Sequence, residues 1–396
     1  REDCHYPFKE LCGAAVAYKL VESLTEAMGG DAEEVDYLME NVAIATIGDV
    51  MDLKDENRIF VKQGLEMLGH TSNLGLRALM ECTGINKDAI SPYHIGFVLG
   101  PCINASGRLD TAKRALALLN AKEKKEADVL AGDLKALNDS RKDMTARALE
   151  EALIQVETTE IREDDVLVIY LPDCHESLAG IVAGKVREEY YKPVFVLTRA
   201  AEGLKGSGRS IETWHMYEGI HRCAHLLTKY GGHKMAAGLS LPEENLDAFR
   251  RLINEKSGIT EDDLTEKISI DMQLPFSCAT ETFIRELRVL EPFGKGNTKP
   301  LFAERNVMVH SARILGKNRN VLKLRVEEQS HKQVDAMYFG NIPDFQTYIA
   351  GKYGRDAMEQ LFRGKGSDIF MAFTYYPDIN EYHGIKNTQI IIQNYK

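Results

Sequence analysis

The chain has 396 residues, 44% hydrophobic and 28% charged, with a formal net charge of −11, a composition that fits a folded water-soluble protein with core enough for two or three domains. No apolar run approaches the roughly 18 residues of a helical membrane span, which excludes a helical membrane protein. Seven scattered cysteines with no Cys-x-x-Cys pair argue for reduced thiols and a cytoplasmic location, and against a zinc knuckle or disulfide frame.

The opening Arg1-Glu2-Asp3-Cys4-His5 carries neither Met nor a signal-peptide pattern and reads as the interior of a longer chain. Residues 8–30 are helical in pattern, with Ala14, Ala15, Ala17, Leu20, Val21 and Leu24 on an apolar stripe that ends at Gly29-Gly30. Val42–Ile47 is a short apolar run whose length suits a buried parallel strand. Asp49 follows at once, in the place where α/β folds put ligand-binding groups. A carboxylate there suits Mg²⁺ or Mn²⁺, although a lone Asp is more often a helix cap or turn. Gly100–Asp110 reads as a polar, Gly-bounded loop before a helix, and its Asn104 and Arg108 are candidates to hold a phosphate or orient metal ligands. Residues 110–156 read as long helices connecting domains, because Leu130, Leu134, Leu137, Met144, Ala148, Ala152 and Val156 recur mostly at three- and four-residue steps.

From Asp165 the pattern is strand, helix, strand: Val166–Tyr170, Leu178–Glu189 and Pro193–Leu197. Gly206-Ser207-Gly208-Arg209-Ser210 and Gly231-Gly232-His233 then read as two Gly-rich loops about 25 residues apart, joined by a helix running toward Tyr230. Glycines beside Ser, Arg and His let backbone N–H groups approach an anion that the side chains neutralise; Gly231 alone reads better as a helix C-cap. Leu246–Ile253 is a further helix. Beyond it, alternation at Leu322/Leu324/Val326 and Ile369/Met371/Phe373, with a last strand at Gln389–Ile392, predicts a β-barrel of the OB type with a helix inserted near 345–362. Lys295–Arg325 holds eight basic residues and one acid, a local net of +7. Phosphate backbones respond to such a patch rather than to the total, so Lys295, Lys317, Arg319 and Lys323 are candidate DNA contacts; the alternative is a solvated basic face. Tyr338, Phe339 and Tyr375 are candidates to stack on bases, although barrel aromatics more often belong to the core.

Several of these segments resemble the DHH phosphoesterase family, and within it the RecJ exonucleases. They are Tyr6–Ala14, Ile47–Met51 with Glu56-Asn57-Arg58, Gly100–Arg108, His175-Glu176-Ser177 with Gly180–Ala183, Ser207–Ser210, Gly231-Gly232-His233 and Glu291–Asn297. The match runs from about residue 6 to the end, in the family's order. The resemblance implies an α/β chain in four parts: the C-terminal part of a DHH phosphoesterase domain (1–110), connecting helices (111–158), a DHH-associated substrate-binding domain (159–262) and an OB-like nucleic-acid-binding domain (263–396). It also implies a 5′-to-3′ exonuclease acting on single-stranded DNA in repair and recombination, using Mn²⁺ or Mg²⁺, with single-strand-binding or repair proteins as partners. Asp49 falls on a metal-binding aspartate, and His175 in a catalytic loop facing the cleft. Ser207, Arg209, Gly232 and His233 fall on the grip for the terminal nucleotide. The family's Asp-x-Asp and Asp-His-His motifs do not occur in this sequence, so the expectation is a truncated and inactive portion. The alternatives are a small-nucleotide phosphodiesterase and a non-catalytic single-stranded-DNA-binding protein.

Overall fold

The computed structural model describes residues 4–365, 368–382 and 384–396; residues 1–3, part of the opening read as chain interior, lie outside it. Helices α1 (Gly13–Ala27), α2 (Met39–Gly48), α3 (Asp55–Gly69), α4 (Leu74–Thr83) and the single turn α5 (Pro92–His94) come first. Then follow α6 (Gly100–Leu109), α7 (Lys113–Asn120) and the 35-residue α8 (Lys124–Thr158). A mixed segment carries β1 (Leu167–Tyr170), α9 (Glu176–Tyr190), β2 (Val194–Arg199), β3 (Leu204–Arg209), α10 (Met216–His221), β4 (Lys229–Gly232), β5 (Ala236–Leu241) and α11 (Leu246–Glu255). The last part contains β6 (Met272–Gln273), α12 (Glu281–Leu287), β7 (Phe302–Leu315), β8 (Val321–Glu327), β9 (Gln333–Tyr338), α13 (Ile342–Tyr353), α14 (Arg355–Phe362), β10 (Phe370–Tyr382) and β11 (Ile385–Tyr395). The chain divides into two compact units, Arg1–Gly64 with Ile268–Lys396, and Leu65–Lys267. Among the described residues, no helix is long and apolar enough to cross a membrane.

In the first unit, the run Val42–Ile47 is helical, not the strand its length suggests. Met39, Glu40 and Asn41 before it and Gly48 after it extend it to ten residues, Ala43 and Ala45 favour helix, and the buried positions Val42, Ala43 and Thr46 follow a helical step. Asp49 is therefore the C-cap of α2, exposed, rather than a residue at a strand end. Of the stripe expected on α1, only Ala15 is buried; Leu20 and Leu24 are 61% and 51% exposed. The helix instead buries Cys12, Ala15 and Tyr18 against Val35, Val42 and Phe60. Two adjacent apolar stripes share this helix, and periodicity alone does not choose between them.

The same unit contains a closed barrel. Strand order runs β7-β8-β9-β11-β10 and closes through β10 on β7, with β6 added parallel to β7. This is the topology of an OB-fold. Leu322, Leu324 and Val326 point inward as their alternation requires, and Phe345, Ile349 and Leu361 of α13 and α14 join the core. Tyr375 belongs to that core, fully buried, its hydroxyl donating to the Leu274 carbonyl, so it is no stacking platform. Tyr338 packs edge-on against Tyr395, whereas Phe339 is exposed.

In the second unit a five-stranded sheet has the order β1-β2-β3-β5-β4, parallel between β1 and β2 and antiparallel elsewhere. One face buries Val194 and Val196 against Ala179, Val182 and Val186 of α9 and Ala148 and Ala152 of α8. The other packs Phe195 and Leu197 with Trp214, Met216 and Phe249. Both Gly-rich segments are strands here, not loops, and only the short α10 and a 3₁₀ turn (Ala224–Leu226) stand where a longer helix was expected. Gly231 lies in β4 and caps no helix. On β3, Lys205, Ser207 and Arg209 alternate with Gly206 and Gly208. A Cβ at Gly206 would sit 2.3 Å from Leu197 Cδ2, and one at Gly208 2.6 Å from the Phe195 ring. The glycines thus let the larger neighbours fill the far face, while the polar residues line the α9 face.

Candidate functional site

The residues that carry the phosphate reading meet in the second unit, where α6, α8, α9 and β3 converge. Gly180 on α9 sets the fit. A Cβ there would lie 2.8 Å from both Ser207 Oγ and Arg209 Nη2, so only glycine lets these two side chains rest against the helix. Arg209 Nη1 donates to the Gly208 carbonyl at 2.8 Å and to Ser207 Oγ at 3.3 Å. The segment 100–110 is not the loop that its glycines suggest but helix α6. Arg108, near its C-terminus, donates from Nη1 to the Ser177 carbonyl at 2.9 Å, in the first turn of α9. Asn104 stands one turn earlier on α6 and is exposed.

Charge distinguishes this place from the rest of the unit. Burial depresses the pKa of Arg209, and the neighbouring Arg108 and Arg187 add to the depression. Burial and Arg108 do the same to Arg141 on α8. Arg187 has Glu188 at 3.1 Å, but among the described residues Arg108, Arg141 and Arg209 have no carboxylate within salt-bridge distance. Neighbouring guanidinium groups without a counterion, with Arg141 and Arg209 partly buried, are stabilised by an incoming anion, and the planar fork of Arg matches phosphate.

Sequence reasoning does not single out Arg141 and names Gly180 only within a motif. One signal for Arg141 was available. On α8 the buried positions Ala131, Leu134, Asn138, Thr145 and Ala148 include a polar Asn. Its Oδ1 accepts from Arg141 Nε at 3.1 Å, and its Nδ2 lies 3.4 Å from Cys102 Sγ.

The remaining candidates occupy defined positions. His175 is the N-cap of α9, its Nδ1 accepting from the Ser177 backbone N–H and 2.8 Å from Ser177 Oγ. Gly232 ends β4 and His233 opens the exposed β4–β5 turn. There the His233 N–H donates to the Ala236 carbonyl at 2.8 Å, and a Cβ at Gly232 would strike that carbonyl at 2.4 Å. In the first unit, no group of three or more His, Cys, Asp or Glu among the described residues is placed to hold a metal ion, and none is in the second. Asp49 alone does not fit a divalent-metal site.

The basic segment of the barrel is less positive in space than in sequence. Lys295 pairs with Asp52 at 3.1 Å. Lys323 and Arg325 both pair with Asp335, at 2.8 and 2.9 Å. Burial raises the Asp335 pKa, but hydrogen bonds from Lys323 and Arg325 outweigh it and leave the carboxyl below its ordinary value. Lys317 and Arg319, by contrast, are exposed in the β7–β8 turn.

Comparison with known proteins follows this geometry. The DHHA1 domain family matches residues 163–257 and the RecJ OB domain family matches residues 270–394. The single-stranded-DNA-specific exonuclease RecJ of Bacillus subtilis is 33% identical over 88% of this chain and 45% of its own length. That of Dickeya dadantii is 32% identical over 99% of this chain and 68% of its own length. The crystal structure of Thermus thermophilus RecJ in complex with Mg²⁺ superposes with a TM-score of 0.82 at 27% identity, covering 99% of this chain and 57% of that one, and the Mn²⁺ complex gives the same score. The chain thus spans about half to two thirds of the length of the relatives it matches. With an OB barrel, a DHHA1 sheet and near-complete coverage by such relatives, the chain belongs to the RecJ family.

Proposed function

We propose that this chain is the end-gripping and strand-holding part of a 5′-to-3′ exonuclease that degrades single-stranded DNA in repair and recombination. The observation that carries this reading is the set of uncompensated guanidinium groups, Arg108, Arg141 and Arg209, beside Ser207. The terminal 5′-phosphate seats on Arg209 and Ser207, with Arg108 and Arg141 supplying field, and the His175–Ser177 turn closes the rim. Arg209 makes a directional, charge-assisted contact that fixes the chain end. The OB barrel holds single-stranded DNA through sequence-independent contacts, with Lys317 and Arg319 exposed to phosphates.

Mn²⁺ or Mg²⁺ is the ion of this chemistry in the proposal, since solved relatives bind both. Asp49 supplies one ligand, which is too few for hydrolysis; the chain's own residues bind and position. A cytoplasmic location agrees with seven free cysteines.

The test has two arms. The 396-residue chain binds a 5′-phosphorylated single strand more tightly than the same strand carrying its phosphate at the 3′ end, and more tightly than a blunt duplex. With Mn²⁺ it hydrolyses the strand slowly or not at all. Indifference to phosphate position contradicts the end-gripping role. Robust turnover abolished by Asp49→Ala shows that the metal site is more complete than proposed.

A further inference from the structure

The second unit carries an aromatic feature that the phosphate cradle does not use. Residues 92–109 form one continuous run of helix, in which α5 passes through a π-helical turn (Ile95–Leu99) into α6. The Gly100 N–H donates to the Ile95 carbonyl, five residues back. A Cβ at Gly100 would stand 2.8 Å from that oxygen, so glycine lets the wide turn close. Single π turns inside a helix break its regularity and recur at functional sites.

The run has two faces. Ile95, Leu99, Cys102, Ala105 and Ser106 are buried. The exposed side chains Tyr93, Phe97, Asn104 and Arg108 recur at steps of four, seven and four, the spacing of one helical face. Tyr93 and Phe97 are 62% and 68% exposed, yet their rings stack on each other, 5.0 Å between centroids and 24° between planes. Each ring forgoes the burial it would gain in a core. Already ordered by its neighbour, it presents a flat apolar surface to a ligand at little further entropic cost.

The other end of that face selects the ligand class. Arg108 donates to the Ser177 carbonyl and neighbours Arg141 and Arg209 in the cluster without a carboxylate. A rise of about 1.5 Å per residue puts Phe97 roughly 16 Å from Arg108 along the helix. A strand stacked as in a duplex advances about 3.4 Å per nucleotide and covers that span in about five steps, and a stretched strand needs fewer. Cations for phosphates and open ring faces for bases are the combination that holds single-stranded nucleic acid. An apolar protein partner would use the rings but not the guanidinium groups on the same face.

We infer that Tyr93 and Phe97 form a stacking platform for one internal base of the single strand, about three to five nucleotides behind the terminal phosphate. The inference rests on the reading of Arg209 and Ser207 as the cradle of the 5′-phosphate, which sets the register. Anisotropy titration of the 396-residue chain with a short 5′-phosphorylated oligodeoxythymidylate, intact or with one base removed at each position in turn, tests it. Removing one base weakens binding about 5- to 100-fold at one position among the fourth to the sixth, and less at its neighbours. Phe97→Ala weakens the intact strand by a similar factor, abolishes that position dependence and leaves the preference for a 5′-phosphate over a 5′-hydroxyl unchanged. Phe97→Trp, which keeps a ring, retains the dependence. The Tm of both variants stays near that of the wild type, because the side chain is exposed. An intact strand bound equally by wild type and Phe97→Ala, or a flat base scan in a wild type that prefers the 5′-phosphate, overturns the platform and leaves the cradle standing. So does a free chain that sediments as a dimer in the wild type and as a monomer in Phe97→Ala, which gives the rings to a second copy. Weaker strand binding by Phe97→Ala, with no phosphate preference in the wild type, removes the cradle and keeps the platform.

Discussion

The polar residues of the two units differ in the charge gathered around them. In the unit that holds the barrel most are paired within the unit, although Asn57 Oδ1 is buried without a partner among the described residues. Arg58 Nη2 donates to the Val289 and Glu291 carbonyls, both at 3.0 Å. Asn57 Nδ2 donates to the Glu10 and Asp52 carbonyls, the Tyr6 hydroxyl donates to Glu56, and Leu53 N–H donates to the Lys295 carbonyl at 2.7 Å. In the other unit, Arg108, Arg141 and Arg209 lack carboxylates and Thr198 lacks any partner among the described residues. Asn57, Arg58, Arg108 and Arg209 lie in segments that resemble family motifs, whereas Arg141 and Thr198 do not. Charge separates them: the second unit gathers neighbouring guanidinium groups, of which Arg141 and Arg209 are partly buried, with no carboxylate beside them among the described residues, an arrangement that an anion stabilises.

The comparison breaks most sharply at Gly180. Gly180→Leu places carbon where Ser207 Oγ and Arg209 Nη2 lie and displaces both. Loss of charge-assisted hydrogen bonds of this kind lowers affinity for a 5′-phosphate about 10- to 100-fold, read by titration, with strand affinity in the barrel unchanged. A loss of both in proportion would place Gly180 in general packing. The matching change in the barrel unit is Arg58→Ala. It removes two hydrogen bonds to exposed carbonyls, costs about 1 kcal/mol of stability in denaturant melts, and does not touch end preference.

Within the barrel the same contrast is finer. Lys317→Ala and Arg319→Ala each reduce the slope of log affinity against log salt for a single strand by about 0.7. Lys323→Ala changes it less, because Asp335 already compensates that charge. Equal slopes for all three would show that ion pairing in the free protein does not matter. The smallest effect concerns Glu327. Hydrogen bonds from Gln333, His331 and His310 hold its pKa down, from 4.5 to about 2. A depressed folded-state pKa means stability that is present above 4.5 and lost as pH falls toward 2. Glu327→Gln flattens that part of the acid-unfolding curve; an unchanged curve would mean the network is not formed.

Much of the architecture was legible because long periodic segments declare themselves. The 35-residue α8, the β1–α9–β2 run and the inward Leu322, Leu324 and Val326 all follow from spacing. Val42–Ile47 was not, because six apolar residues fit either state and the deciding residues flank them. Nor were the Gly-rich strands. Lys205, Ser207 and Arg209 face a site and Gly206 and Gly208 yield to neighbours, so no apolar alternation survives to announce β3. In the site, Ser207, Arg209 and Arg108 were legible from residue chemistry beside glycine. Arg141 was not, since it meets Arg108 only when α8 comes beside α6.

The central claim is that Arg209 anchors a 5′-phosphate. Equilibrium titration of one single-stranded oligonucleotide, with a 5′-phosphate or a 5′-hydroxyl, against wild type, Arg209→Ala and Arg209→Lys tests it most directly. The account predicts that the wild type prefers the phosphate about 10-fold or more and that Arg209→Ala erases this preference without weakening the hydroxyl strand. Arg209→Lys restores only part of it, because an ammonium keeps the charge but not the fork. Equal affinity for both strands in the wild type, or an Arg209→Ala variant that weakens both alike, would contradict it.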